Sequence, residues 1–171
     1  GRDAELAGIG RLFHADTGLT LGANSLPQPP LTAIPTQAGS DDITIAVVGA
    51  HLSGMALNHE LTTLDARLLE EAVTAPDYKL YALDTTPPKP GMLRIEAGAG
   101  HAIKLELWAM SPAAFGKFVA AIPPPLSIGT IRLADGRQAK GFIVEPAAIN
   151  GAKDISAYGG WRAFMAERAK A

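Results

Sequence analysis

A histidine set in a glycine-rich turn is the residue whose type and place best suit chemistry. His51 lies in Gly49-Ala-His-Leu-Ser-Gly-Met-Ala-Leu-Asn58, directly after the apolar run Ile43-Thr-Ile-Ala-Val-Val48. An imidazole titrates near neutrality, with an ordinary pKa of about 6.5, so it can hold or deliver a proton at working pH. Gly49 and Gly54 allow close approaches and backbone angles that a side chain blocks, and between them the N–H groups of Ala50, Leu52, Ser53 and Met55 can turn toward a small anion. Ser53 and Asn58 add side-chain polar groups, and Asn58 can also cap a helix whose N-terminus brings positive potential to the same mouth. Ser53 has neither a Gly-x-Ser-x-Gly setting nor a paired base, which makes it a turn residue and not a nucleophile.

The other candidates are scattered. Lys89 sits within Pro87-Pro-Lys-Pro-Gly91, read as a stiff loop that presents a cation. Glu106 and Trp108 alternate along one strand and so share a face, with Glu106 as a pocket base and Tyr81 as a substrate contact. Each has a plain structural alternative: a loop histidine, a cap, a solvated lysine, a solvent-side glutamate, or packing aromatics. His14, His59 and His101 fall in separate segments without metal-ligand spacing and read as surface residues; no metal site is expected. Gly98-Ala-Gly100 is a turn, because neither phosphate-loop nor dinucleotide spacing follows it.

These residues need elements to position them. Residues 43–48 are β-branched at five of six positions and suit a buried strand. A short helix over 58–65 follows, and 67–73 fits either its continuation or a strand. Strands are predicted over 78–83, 92–96 and 102–110, the last with Ile103, Leu105, Leu107 and Ala109 on one face. Ser111-Pro112 opens a helix with the stripe Phe115, Phe118, Val119 and Ile122, which Pro123-Pro-Pro125 stops. Residues 126–133 and 138–144 form a hairpin about Asp135-Gly136, and a terminal helix runs from about Gly160 to Arg168. The sum is an α+β domain whose small mixed sheet closes into a barrel-like form, with a few short helices. Ahead of it, residues 3–16 carry Leu6, Ile9, Leu12 and Phe13 at helical spacing, and 22–42 have the Pro, Gly and Ser content of a linker, so the divisions are 1–41 and 42–168.

With 171 residues, 47% of them hydrophobic, the chain can bury a real core. Its net charge of -2 and lack of a basic block argue against nucleic acid as a partner. Zero cysteines exclude disulfides, thiolate metal sites and a cysteine nucleophile, and fit a reducing cytoplasm. No apolar run reaches the roughly 18 residues of a membrane span, so no membrane partner is expected. The opening Gly1-Arg2 without Met reads as the start of a piece of a longer protein.

Several stretches fall in a telling order: Gly49 to Asn58, Thr74-Ala-Pro-Asp-Tyr-Lys-Leu-Tyr81-Ala-Leu83, Pro88-Lys-Pro-Gly91, Leu105-Glu-Leu-Trp108, the hairpin from Ile128-Gly-Thr130 to Lys140-Gly-Phe-Ile-Val-Glu145, and Tyr158-Gly-Gly-Trp161. In this order, over about residues 45–165, they resemble the C-terminal domain of allophanate hydrolase. Leu12-Phe-His14 and Gly18-Leu-Thr-Leu-Gly22 look like the join to an amidase domain in such enzymes. The resemblance implies a fold similar to γ-glutamyl cyclotransferases, with the binding loop at Gly49 to Met55 and a glutamate base in the segment of Glu106. The loop departs from the usual Tyr-Gly-Ser/Thr-Leu by reading Ala50-His51-Leu52-Ser53, which argues against cyclotransferase chemistry.

The resemblance also implies a place in urea breakdown. An amidase domain with a Ser-cis-Ser-Lys triad releases ammonia from allophanate, and the C-terminal domain then removes CO2 from N-carboxycarbamate without a cofactor. His51 would be the proton donor, with the turn residues, Asn58, Tyr81, Lys89 and Glu106 about a small anionic carbamate. Two other classes stand beside this one. The first is a noncatalytic domain that holds the amidase in a homo-oligomer, favoured by the amphipathic arm at 3–16 and by Trp161, Phe164 and Met165. The second is a cyclotransferase-like enzyme on another small substrate.

Overall fold

The computed structural model describes Gly39 and residues 41–170. Strand β1 (Ile43–Val47) forms where the β-branched run lies, and its last three residues are buried. It is the middle strand of a five-stranded sheet in the order β2 (Arg67–Val73), β5 (Lys104–Met110), β1, β7 (Gln138–Val144) and β6 (Leu126–Arg132). β5 runs antiparallel to it, with Ile45 opposite Trp108 and Val47 opposite Glu106. β7 runs parallel, with Ile45 opposite Lys140. A strand flanked on both sides and covered on both faces reads as a continuous apolar run, as this one does. A three-stranded antiparallel sheet takes the order β4 (Lys89–Arg94), β3 (Tyr78–Leu83) and β8 (Lys153–Asp154). The α-helices among the described residues are α1 (Asn58–Thr62), α2 (Pro112–Ala120) and α3 (Trp161–Arg168).

The mixed α+β class is as expected; closure into a barrel is not. The edge strands β2 and β6 touch only past their ends, at the single bridge Thr74–Leu133. There the Ala75 N–H donates to the Arg132 carbonyl and the Ala134 N–H to the Val73 carbonyl, both at 2.9 Å. Beyond that corner the chain turns off at Ala75-Pro76-Asp77 into β3, while β6 reverses at Asp135-Gly136. Neither edge continues alongside the other, so no ladder joins them.

Residues 67–73 are a strand, since they pair with β5 from Arg67 opposite Ala109 to Val73 opposite Lys104. The proline stretch also differs from its expectation: Lys89 and Pro90 open β4, and Pro90 lies opposite Ala82. β4 is an edge strand, where a residue without an N–H is tolerated. The strand expected over 92–96 therefore sits at Lys89–Arg94. Ser111 caps α2 as expected, its Oγ accepting from the Ala114 N–H at 3.2 Å. The arm at 3–16 lies outside the described residues, as do residues 22–38 and 40 of the linker expected over 22–42. The core gathers Ile45, Val47, Leu80, Ile103, Leu107 and Trp161. Buried Asp77, beside β3, pairs with Arg132 of β6 at 2.9 Å, and the Tyr78 hydroxyl accepts from the Arg132 N–H at 2.8 Å.

Candidate functional site

β1 delivers the chain into a turn that closes on itself. The Leu52 N–H donates to the Gly49 carbonyl at 3.0 Å, Met55 N–H to Leu52 at 2.9 Å, and Leu57 N–H to Ala50 at 2.8 Å. Gly49 has a packing reason: a Cβ there would stand 2.4 Å from the ring carbons of Pro90. Gly54 has a conformational one, its φ of +73° being a region that L side chains rarely adopt. Ala50 and Leu52 point into the core, and Met55 packs against it. Of the N–H groups that could meet an anion, those of Leu52, Ser53 and Met55 are already spent on Gly49, Glu106 and Leu52. Asn58 does not cap α1. Leu57 holds the cap position with no side-chain bond, while the Asn58 amide donates to the His51 carbonyl at 2.9 Å and braces the turn from the helix side.

The His51 ring is held from three elements. Its Nε2 lies 2.8 Å from Oε2 of Glu60 on α1, Phe142 of β7 stacks on it at 5.1 Å and 12°, and Phe118 of α2 meets it edge-on at 5.2 Å. A carboxylate only accepts, so Nε2 carries the hydrogen and Nδ1 keeps the lone pair in the neutral ring. The side chain is 12% exposed. Burial lowers its pKa below the ordinary 6.5, the hydrogen bond and charge of Glu60 oppose that, and Lys89 adds to the lowering. His51, Glu60 and Lys89 share a cavity of about 220 Å³ whose apolar wall includes Phe118, Ile122 and Phe142.

Glu106 lies on the other side of the turn and is 2% exposed. Its Oε2 accepts from the Ser53 N–H at 2.8 Å, the Ser53 hydroxyl at 2.9 Å and the Trp108 indole at 3.0 Å. Its Oε1 accepts from Arg162 of α3 at 2.6 Å. Burial alone would raise its pKa, but these donors outweigh burial and hold it below the ordinary 4.5, so it is a carboxylate. It faces a second cavity of about 470 Å³, with Leu52, Lys104, Tyr158, Trp161 and Arg162. His51 and Leu52, adjacent in the turn, thus wall different cavities.

Lys89 is therefore brought to His51, and Glu106 is not. Tyr81 pairs with Gly91 and Asp154 in the smaller sheet and lines neither cavity. His59 and His101 are exposed, and His14 lies outside the described residues. Among the described residues no group of three or more His, Asp or Glu is placed to hold a metal ion. Glu60, Phe142 and Arg162 were not read as site residues from the sequence, and Phe118 was read there only as part of the apolar stripe of α2. Glu60 left a fainter trace, as an acidic residue in the first turn of the helix that follows the histidine.

Fold and site together define a mixed α+β domain whose central first strand carries a histidine turn between two cavities. Residues 43–166 match the family described as allophanate hydrolase C-terminal domain, and the chain belongs to that family. Among curated proteins it is 38% identical over 135 residues to the urea amidolyase of Lachancea kluyveri, an alignment covering 77% of this chain and 7% of that protein. Among solved structures it resembles SeMet-substituted Kluyveromyces lactis allophanate hydrolase with a TM-score of 0.71 and 33% identity, over 85% of this chain and 22% of that one. It also resembles c4763, a uropathogenic E. coli-specific protein, with a TM-score of 0.68 and 29% identity, over 73% of this chain and 96% of the other.

Proposed function

We propose that this domain removes CO2 from N-carboxycarbamate, which an amidase domain of the same polypeptide makes from allophanate, so that urea breakdown ends in ammonia and CO2. The observation that carries this reading is His51 itself, bonded to Glu60, shielded between two phenylalanines and sharing a small cavity with Lys89. The family membership and the relative named urea amidolyase support the route. They also support a cytoplasmic setting and a tie to the amidase domain.

In the proposed step the C–N bond of the dianion breaks, its electron pair stays on nitrogen, and CO2 departs. The nitrogen takes a proton and leaves as carbamate, which takes a second proton from water and falls apart to ammonia and a second CO2. His51 is neutral at rest, because burial disfavours its charge. A dianion entering the cavity reverses that balance by attracting a proton to Nδ1, the nitrogen not held by Glu60. Glu60 then steadies the imidazolium through Nε2, and Lys89 offsets the second negative charge. The phenylalanine walls exclude water from a carboxylate that must lose its charge, which favours CO2 release.

The test is a coupled one. An isolated amidase domain generates N-carboxycarbamate from allophanate, and carbon NMR follows its loss with and without this chain, wild type or His51→Ala, after subtraction of the uncatalysed loss. Wild type should speed the loss and His51→Ala should forfeit a factor of about 10² or more of that acceleration, the size of a general-acid contribution. If neither protein changes the rate, the catalytic reading fails and a supporting role in assembly of the amidase takes its place.

A further inference from the structure

We propose that Glu106 and Arg162 are positioning residues, a latch from α3 that acts through Ser53 to fix the turn carrying His51. This rests on the reading of His51 as the catalytic group. Every partner Glu106 has among the described residues is a donor: the Ser53 N–H, the Ser53 hydroxyl, the Trp108 indole and the Arg162 guanidinium. A carboxylate so surrounded has little tendency to take a proton, which suits an anchor and not a base.

The mechanics follow from where Ser53 lies. It stands two residues past His51, and Glu106 reaches it from β5, the strand that also pairs Glu106 with Val47 at the end of β1. One residue of β5 thereby holds the chain both as it enters the turn and midway through it. Asn58 holds the His51 carbonyl from α1. The outer end of the latch is Arg162, second residue of α3, whose side chain is 47% exposed while Glu106 is hidden. Without the guanidinium, Oε1 loses the one hydrogen-bond partner it has among the described residues, and the buried carboxylate is driven to shift toward other donors or solvent, moving Ser53 with it. A displacement of about 1 Å at a catalytic group is enough to cost up to about a hundredfold in rate.

The experiment compares Arg162→Gln, Arg162→Lys and Glu106→Gln with wild type in the coupled assay, each corrected for its folded fraction. On the same samples NMR records hydrogen exchange at the Ser53 amide and the His51 ring signals. Arg162→Gln should lose about tenfold in rate, exchange the Ser53 amide about tenfold faster and displace the His51 signals, and Arg162→Lys should recover most of each. The latch is overturned if the Ser53 amide and His51 signals stay as in wild type in both Arg162→Gln and Glu106→Gln. It is equally overturned if Glu106→Gln abolishes turnover with those signals unchanged, since Glu106 then acts on the substrate. Should wild type show no turnover at all, the decarboxylase reading fails, while the exchange and ring signals still decide whether the latch exists.

Discussion

At the scale of single residues, His51 is a polar group kept in an apolar setting by one well-placed partner. Burial lowers its pKa, so between that lowered value and 6.5 the unfolded chain binds a proton that the folded one refuses. Stability from this group is therefore present above 6.5 and declines as pH drops below it. The urea midpoint of wild type should fall between pH 7.5 and 5.5, and the fall should shrink in His51→Gln; an equal fall in both proteins would deny His51 this role. His51 was legible from its type and its glycine-flanked turn, and Lys89 from its charge. Their company was not. Glu60 and Arg162 reach their partners across 9 and 56 residues, so each pairing depends on how whole elements pack and leaves no local periodicity to read.

At the scale of elements, the turn stays in place because β4 closes against it. Gly49→Ala would drive a methyl into the Pro90 ring, which cannot swing aside as a flexible side chain would. We expect a loss of about 1–3 kcal/mol, read as a lower urea midpoint at unchanged slope, the usual cost of overpacking. Most strands were readable from alternation and the α2 start from its Ser-Pro pair, because those signals are local. Residues 67–73 were not, since apolar residues at 68, 69, 72 and 73 fit a helix as well as a strand, and only pairing with β5 decides between them. The start of β4 was missed because proline signals a loop unless the strand is an edge. Barrel closure depends on the paths of β2 and β6 after they touch, which is a property of neither segment alone.

At the scale of the whole molecule, the buried apolar residues described run from Ile45 to Phe164, and the family match runs from 43 to 166. A chain of residues 42–168 should therefore fold cooperatively, with a melting temperature within about 5 °C of the full chain. A broad, uncooperative melt would instead make residues 1–41 part of the fold.

The middle position of β1 sets a timetable for synthesis. It is the earliest made of the described strands, yet its neighbours are β5, some 60 residues later, and β7, nearly 100 residues later. Pairings of such long separation form slowly and late. On the ribosome, the histidine turn must wait, with one side of its strand open, until residue 144 has left the exit tunnel. The closed histidine turn is thus among the last features the nascent domain acquires, and a chain cut short anywhere before β7 never acquires it.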